Sequence, residues 1–250
     1  MKCNFKTDEN LNDSAPLWKY LKFSHLEALI QNRGIYFPRW NTLGDPFEGS
    51  YTDDYNKPKK GGWGIPPWGR GGWNDPYYLL EKFPDAERNL MYICCFCNKD
   101  HESTLMWKEY SESKKGVAIK STLGRLTRSF REIFTNEICI NRVKYLDFEK
   151  ESSNEYLDLV SLFSLKKIEF ADENEIRMII KNDPPISGFS ESGGYVRIDP
   201  TDLIEEIVLY PELGTGDTDE SLLFKVSRLL EENNLKIPIR KSTLSKIPNF

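Results

Sequence analysis

Phe170-Ala171-Asp172-Glu173-Asn174-Glu175-Ile176-Arg177-Met178-Ile179-Ile180 alternates as a β-strand requires. Successive side chains of a strand point to opposite faces. Ile176, Met178 and Ile180 therefore share one face, and Glu173, Glu175 and Arg177 the other. The apolar set predicts a strand over 175–180 laid against a core. The charged set places two carboxylates about 7 Å apart with a guanidinium on the same ridge. That ridge fits two readings. One is a solvated strand face in which Arg177 balances its neighbours. The other is a site that binds a polyol or stabilises a cationic transition state.

Outward from this strand, helical and strand patterns interleave. Residues 17–23 read as a strand, rich in large apolar and aromatic side chains. Ser24, with Glu27 three residues on, has the form of a capping box, and the helix it opens stops at Gly34 before a second strand at 35–37. No regular element is expected in the first ten residues. Further strands are expected at 90–97, 116–119, 138–145, 195–198 and 204–210. Helices are expected near 75–89, 103–110, 123–134 and 156–168. A last helix is capped by 217–220 and carries Leu222, Leu223, Val226, Leu229 and Leu230 as its apolar stripe. There is no regular strand–helix–strand rhythm, which favours a mixed α+β fold over a doubly wound sheet. Residues 1–250 read as a single domain with one insertion at 50–75.

Within that insertion, residues 57–73 hold six glycines, three prolines, three tryptophans and four cations without an acid. Glycine and proline both interrupt helices and ladders. Lys59, Lys60, Trp63, Trp68 and Arg70 then fit three uses. They can grip a single-stranded nucleic acid by stacking and phosphate contact, cover the core, or dock an inhibitory protein.

Composition sets the outer bounds. The chain has 250 residues, 39 % hydrophobic and 13 % aromatic, with 34 Lys and Arg against 39 Asp and Glu. That excludes wholesale disorder and a general basic coat for nucleic acid, leaving only local basic patches. No apolar run reaches the roughly 20 residues of a membrane helix, and the N-terminus lacks a secretory apolar segment. Five cysteines, three of them in Cys94-Cys95-Phe96-Cys97, do not form a disulfide framework. We expect a cytoplasmic protein with buried thiols. His25 and His101 are the only histidines, too few for a recognisable zinc site, so no metal is expected. Ser103, Trp107 and Tyr110 share a helical face at i, i+4 and i+7. Either they pack on the core or they line a pocket for a flat heterocycle.

Leu17-Trp18-Lys19-Tyr20, Ile35-Tyr36-Phe37-Pro38-Arg39, Asp45-Pro46-Phe47-Glu48-Gly49, Met106-Trp107 with Tyr110, Gly116-Val117-Ala118-Ile119 and Glu173-Asn174-Glu175-Ile176-Arg177 resemble, in that order, a bacterial family of unknown function. That family is similar in turn to a divergent branch of the ADP-ribosyltransferase superfamily. The resemblance implies a mixed, split β-sheet core with peripheral helices and NAD as co-substrate. It also implies a catalytic Glu175, holding the ribose 2′-hydroxyl and stabilising the oxocarbenium formed as nicotinamide leaves. Glu173 would position or activate the acceptor. Lys19 and Tyr20 stand where other branches place an Arg or His, a departure from the pattern. Arg39 would meet the pyrophosphate, and Ser103, Trp107 and Tyr110 would flank the cofactor. Members resembling this chain act as toxins in phage defence or toxin–antitoxin loci, which implies an antitoxin partner and a macromolecular acceptor: RNA, DNA or protein. The alternative is a non-catalytic module that keeps the fold and binds nucleic acid or protein.

Overall fold

The computed structural model describes residues 4–50, 85–111, 116–131, 136–151, 158–211 and 220–245. The insertion beyond residue 50, with Lys59, Lys60, Trp63, Trp68 and Arg70, lies outside these residues. With strands numbered in chain order, one mixed sheet runs β1 (Asn4–Thr7), β6 (Glu137–Arg142), β9 (Glu175–Lys181), β4 (Met91–Cys97), β2 (Pro16–Lys22), β5 (Gly116–Thr122), β11 (Glu206–Leu209) and β12 (Ile239–Lys241). The two edge pairs, β1–β6 and β11–β12, are parallel, and every other pair is antiparallel. Two small ribbons join β3 (Gly34–Pro38) to β10 (Gly193–Arg197) and β7 (Lys144–Leu146) to β8 (Leu165–Lys167).

Helices α1 (Phe23–Gln31), α2 (Asp85–Arg88), α3 (Thr104–Tyr110), α4 (Leu123–Ser129), α5 (Leu159–Leu162), α6 (Pro200–Leu203) and α7 (Glu220–Glu232) surround the sheet. On one face Ile176, Met178 and Ile180 meet Tyr92, Cys94 and Phe96, covered by α1, α4 and α7. Each such side chain, fully buried, contributes about 1.5–3 kcal/mol. On the other face, Met91, Ile93 and Ile179 pack with Leu159 and Phe163, and Trp18, Tyr20 and Ala118 pack with Met106 and Trp107 of α3.

The mixed α+β architecture with a large sheet and peripheral helices matches the expectation. Several boundaries do not. Asn4–Thr7 forms an edge strand, because Phe5 packs edge-to-face on Phe130 at 5.2 Å. Helix α1 starts at Phe23 after Lys22, with no side-chain cap, and ends at Gln31 with Asn32 as its C-cap, while Gly34 opens β3. The long helix expected over 156–168 is one turn capped by Asp158, followed by β8 and a 3-10 segment, Ile168–Glu173. Short apolar runs support helix and strand alike, and here the pairing with β7 decides. Leu223 of the predicted stripe is 38 % exposed, whereas Leu222, Val226, Leu229 and Leu230 are buried. Among the described residues no helix is long and apolar enough to cross a membrane.

Candidate active site

β2 and β4 are neighbours in the sheet but share a single residue pair, Trp18 with Cys97. Beyond that pair they part, and a cleft of about 850 Å3 opens, lined by Lys19, Tyr20, Cys95, Tyr110, Glu175 and Arg177 among others. That size falls in the usual range of ligand pockets, about 300–1,000 Å3. Lys19 spans the gap: its Nζ donates to the carbonyl oxygen of Cys95 at 2.9 Å, sits 3.4 Å from Cys94 Sγ, and lies 5.0 Å from the Phe96 ring centre. A side chain thus satisfies a strand carbonyl at the point where the strands separate.

A buried polar cluster closes one wall through Glu48, Lys166, Glu175 and Arg177, with Glu173 held on Lys166 outside the lining. Arg177, only 1 % exposed, donates through Nη1 and Nη2 to Glu48 at 2.5 and 3.0 Å, through Nε to Glu175 at 2.8 Å, and through Nη1 to the Phe163 carbonyl at 2.8 Å. Lys166 Nζ lies 2.5 Å from Glu173 and 3.5 Å from Glu175. The expected solvated ridge is therefore absent: Glu173, Glu175 and Arg177 are all buried. Nor is Glu173 on the strand. It ends the 3-10 segment, Asn174 turns left-handed at φ 46°, and β9 begins at Glu175. Asparagine is among the residues that tolerate this conformation. The reversal brings both carboxylates onto Lys166. Tyr145 fixes the strand start, its hydroxyl accepting the Glu175 N–H at 2.9 Å.

Three carboxylates and two cations make up this cluster, so it is neutral with Glu173 protonated and carries one negative charge once Glu173 ionises. Burial raises Glu173 most, its hydrogen bond with Glu175 adds to that, and Lys166 opposes them; the carboxyl is pushed up to about 7. Burial also acts against ionised Glu175, but the charges of Arg177 and Lys166 outweigh it and hold this carboxyl well below the usual range. Two neighbouring carboxyls with opposed shifts are the usual arrangement for dividing acid–base and electrostatic tasks.

The remaining predicted residues divide. Tyr20 and Tyr110 line the cleft with Lys19. The Tyr20 hydroxyl accepts the Ser103 N–H at 2.8 Å, and its ring meets Trp107 edge-on at 5.0 Å. Tyr110 is 42 % exposed, and burial of its hydroxyl end, with the charges of Glu173 and Glu175, raises its pKa. Ser103 caps α3, its Oγ accepting from the Met106 N–H, and Trp107 donates from Nε1 to Glu102 at 3.2 Å. Both are buried outside the cleft lining. Arg39 also lies apart, with Nε donating to the Asn89 carbonyl at 2.9 Å. Cys94, Cys95, Cys97 and Cys139 are free thiols, and no group of three metal-binding side chains occurs among the described residues.

Sequence reasoning missed Glu48 and Lys166. Glu48 had a signal in Asp45-Pro46-Phe47-Glu48-Gly49. Asp45 Oδ1 accepts the Phe47 N–H at 2.8 Å, and Lys167 stands 3.4 Å over the Phe47 ring. Gly49 takes φ +66° where a Cβ would fall 2.4 Å from the Phe163 ring. The turn exists to deliver Glu48 to Arg177. Lys166 had no such signal, since it fell inside the expected helix.

The family model described as a protein of unknown function, DUF2971, matches residues 106–178. No curated protein sequence matches the chain. Among solved structures, it is similar to Thermus sp. 2.9 DarT in complex with carba-NAD+, at TM-score 0.38 and 11 % identity over 93 % of this chain and 97 % of that one. The same protein with NAD+ gives 0.38 and 10 %, covering 92 % and 98 %. With ADP-ribosylated ssDNA it gives 0.36 and 13 %, covering 96 % and 98 %. So slight a likeness assigns neither fold nor chemistry, and the matched family segment runs from the Met106-Trp107 motif into β9.

Proposed function

We propose that this chain is an NAD-dependent mono-ADP-ribosyltransferase acting on a macromolecule, with Glu175 and Glu173 as its catalytic pair. The observation that carries the reading is Glu175, a buried carboxylate in the cleft wall that Arg177 and Lys166 hold ionised. An oxocarbenium ion, formed as the bond from ribose to nicotinamide breaks, is positive where Glu175 is negative. Arg177 and Lys166 keep Glu175 ionised and fixed, so the stabilising charge needs no reorganisation during reaction. Glu173, near 7, is matched to removing a proton from the attacking acceptor at neutral pH. The acceptor atom then bonds to the ribose carbon, nicotinamide leaves neutral, and the proton rests on Glu173. Lys19, which donates to neutral groups of β4, supplies positive charge in the cleft for the pyrophosphate, and Tyr110 offers a ring at its mouth. We place this site in one domain covering 1–250, with the insertion contributing to acceptor or inhibitor binding, as a toxin restrained by a partner would require.

Purified protein incubated with labelled NAD and a mixture of cell extract, RNA and DNA tests the reading. Label should appear on one macromolecular fraction. The rival reading, a binding module without catalysis, draws on Lys19 replacing the Arg or His of related strands. It predicts that label stays on NAD in every fraction.

A further inference from the structure

Asn174 also lines a second concavity, of about 730 Å3. It is bounded by the ends of β4 and β6, the start of β2 and the loop before it. Lys99, Asp100, His101, Arg142, Asn174 and Ser14 line it, with Asn12 and Asn98. The wall is polar, unlike that of the cleft between β2 and β4. Its charged groups are two permanent cations and one acid, in a chain whose net charge is −5. Arg142 donates to a neutral acceptor, Asn98 Oδ1 at 2.6 Å. Among the described residues the side chains of Lys99 and His101 have no hydrogen bond or ion pair. Neither Lys99 nor Arg142 is ion-paired among them, and with Asp100 the permanent charges of the hollow sum to +1.

The amides are held in place. Asn98 N–H donates to the Asn174 carbonyl at 2.7 Å, and Asn174 Nδ2 donates back to the Asn98 carbonyl. Asn98 Nδ2 also donates to Pro16 at 2.7 Å. This reciprocal lock fixes the left-handed turn, leaving Asn174 Oδ1 unbonded. Asn12 uses its Oδ1 on Ser14 N–H and Oγ, which leaves its Nδ2 unbonded. Cations beside rigid amide edges meet the two needs of an unpaired nucleotide, charge for the phosphate and hydrogen bonds for an unstacked base. A duplex carries its phosphates on a convex surface and does not enter such a hollow.

We infer that this hollow binds a single-stranded nucleic acid, with Lys99 and Arg142 on successive phosphates and Asn12 and Asn174 on the edge of a base. The inference rests on the transferase reading only in calling that strand the acceptor. The binding itself needs no NAD.

Labelled dT10 and rU10 are titrated with the full chain across a salt series, without NAD. The proteins are wild type, Lys99→Gln/Arg142→Gln, Lys99→Gln alone, and Lys236→Gln as an exposed lysine outside the hollow. We expect wild type to bind, and the double variant to bind about tenfold more weakly at low salt. Its log–log salt slope should fall by about 1.4, at about 0.7 per lost phosphate contact. Lys99→Gln alone, which spares the Arg142–Asn98 bond, should lower the slope by about 0.7, and Lys236→Gln should change nothing. Wild type failing to bind, an unchanged slope in both hollow variants, or an equal loss in Lys236→Gln would each overturn the assignment. Inorganic phosphate held by Lys99 and Arg142 while neither oligonucleotide binds would also overturn it, as a site for a free anion. Glu175→Gln should bind the strands like wild type, so loss of transfer and loss of this site are separable.

Discussion

Glu102 and Glu175 are buried alike, 6 % and 4 % exposed, yet their surroundings differ in kind. Five donors converge on Glu102: Ser242 Oγ, Thr243 N–H, Thr243 Oγ1, Arg240 Nη1 and Trp107 Nε1. A carboxylate offers about four lone-pair directions, so nothing is left over for a ligand. Burial would raise its pKa, but the bonds from Ser242, Thr243 and Arg240 lower it. Glu102 ties the segment before α3 to the one after β12. Glu175 instead shares two cations with Glu48 and Glu173, and it lines the cleft. Glu102 is saturated by donors that hold the fold, whereas Glu175 faces a cleft.

The largest expected effect comes from Arg177→Met. It strips Glu48 and Glu175 of their shared partner, and breaking a buried pair in this way costs about 3–5 kcal/mol. Denaturant unfolding should register it in the midpoint, and Glu48→Gln in the same background should restore part of the loss. Second is the pH response, where the two sites take opposite signs. Glu102 is lowered on folding, so its contribution is present above the ordinary carboxylate value of 4.5 and is lost as pH falls through the folded value. Glu173 is raised to about 7, so its ionisation lowers stability as pH climbs from about 4.5 to 7. Transfer should rise over the upper part of that window with an apparent pKa near 7, and Glu173→Gln should remove that limb of the pH–rate profile. The smallest effect belongs to Trp107→Phe. It deletes one of the five bonds to Glu102, costs about 1 kcal/mol in unfolding, and should leave the rate per folded molecule unchanged.

The strands were legible where their pattern was unambiguous. The run 90–97 and the alternation of 175–180 both appear as central strands, because apolar side chains on at least one face must be buried wherever the chain goes. The Glu173/Glu175 pair was legible too, although for a reason the alternation misstates. Strand periodicity sets them on one face, while in the structure a left-handed Asn174 and the ammonium of Lys166 bring them together. Lys166 and Glu48 come from segments 7 and 125 or more residues away from the Glu173–Arg177 run, through tertiary contacts that no local pattern encodes. Ser103 and Trp107 had the spacing of a pocket wall and serve as cap and core, since helical spacing alone does not say which surface the face meets.

The most direct test sets Glu175→Gln beside Glu102→Gln and measures nicotinamide release from NAD together with thermal unfolding. Glu175→Gln keeps the shape and removes the charge, and should lose on the order of 10² to 10³ in rate while remaining folded. Glu102→Gln should melt earlier and keep its rate per folded molecule. A folded Glu175→Gln protein that releases nicotinamide as fast as wild type would contradict the account.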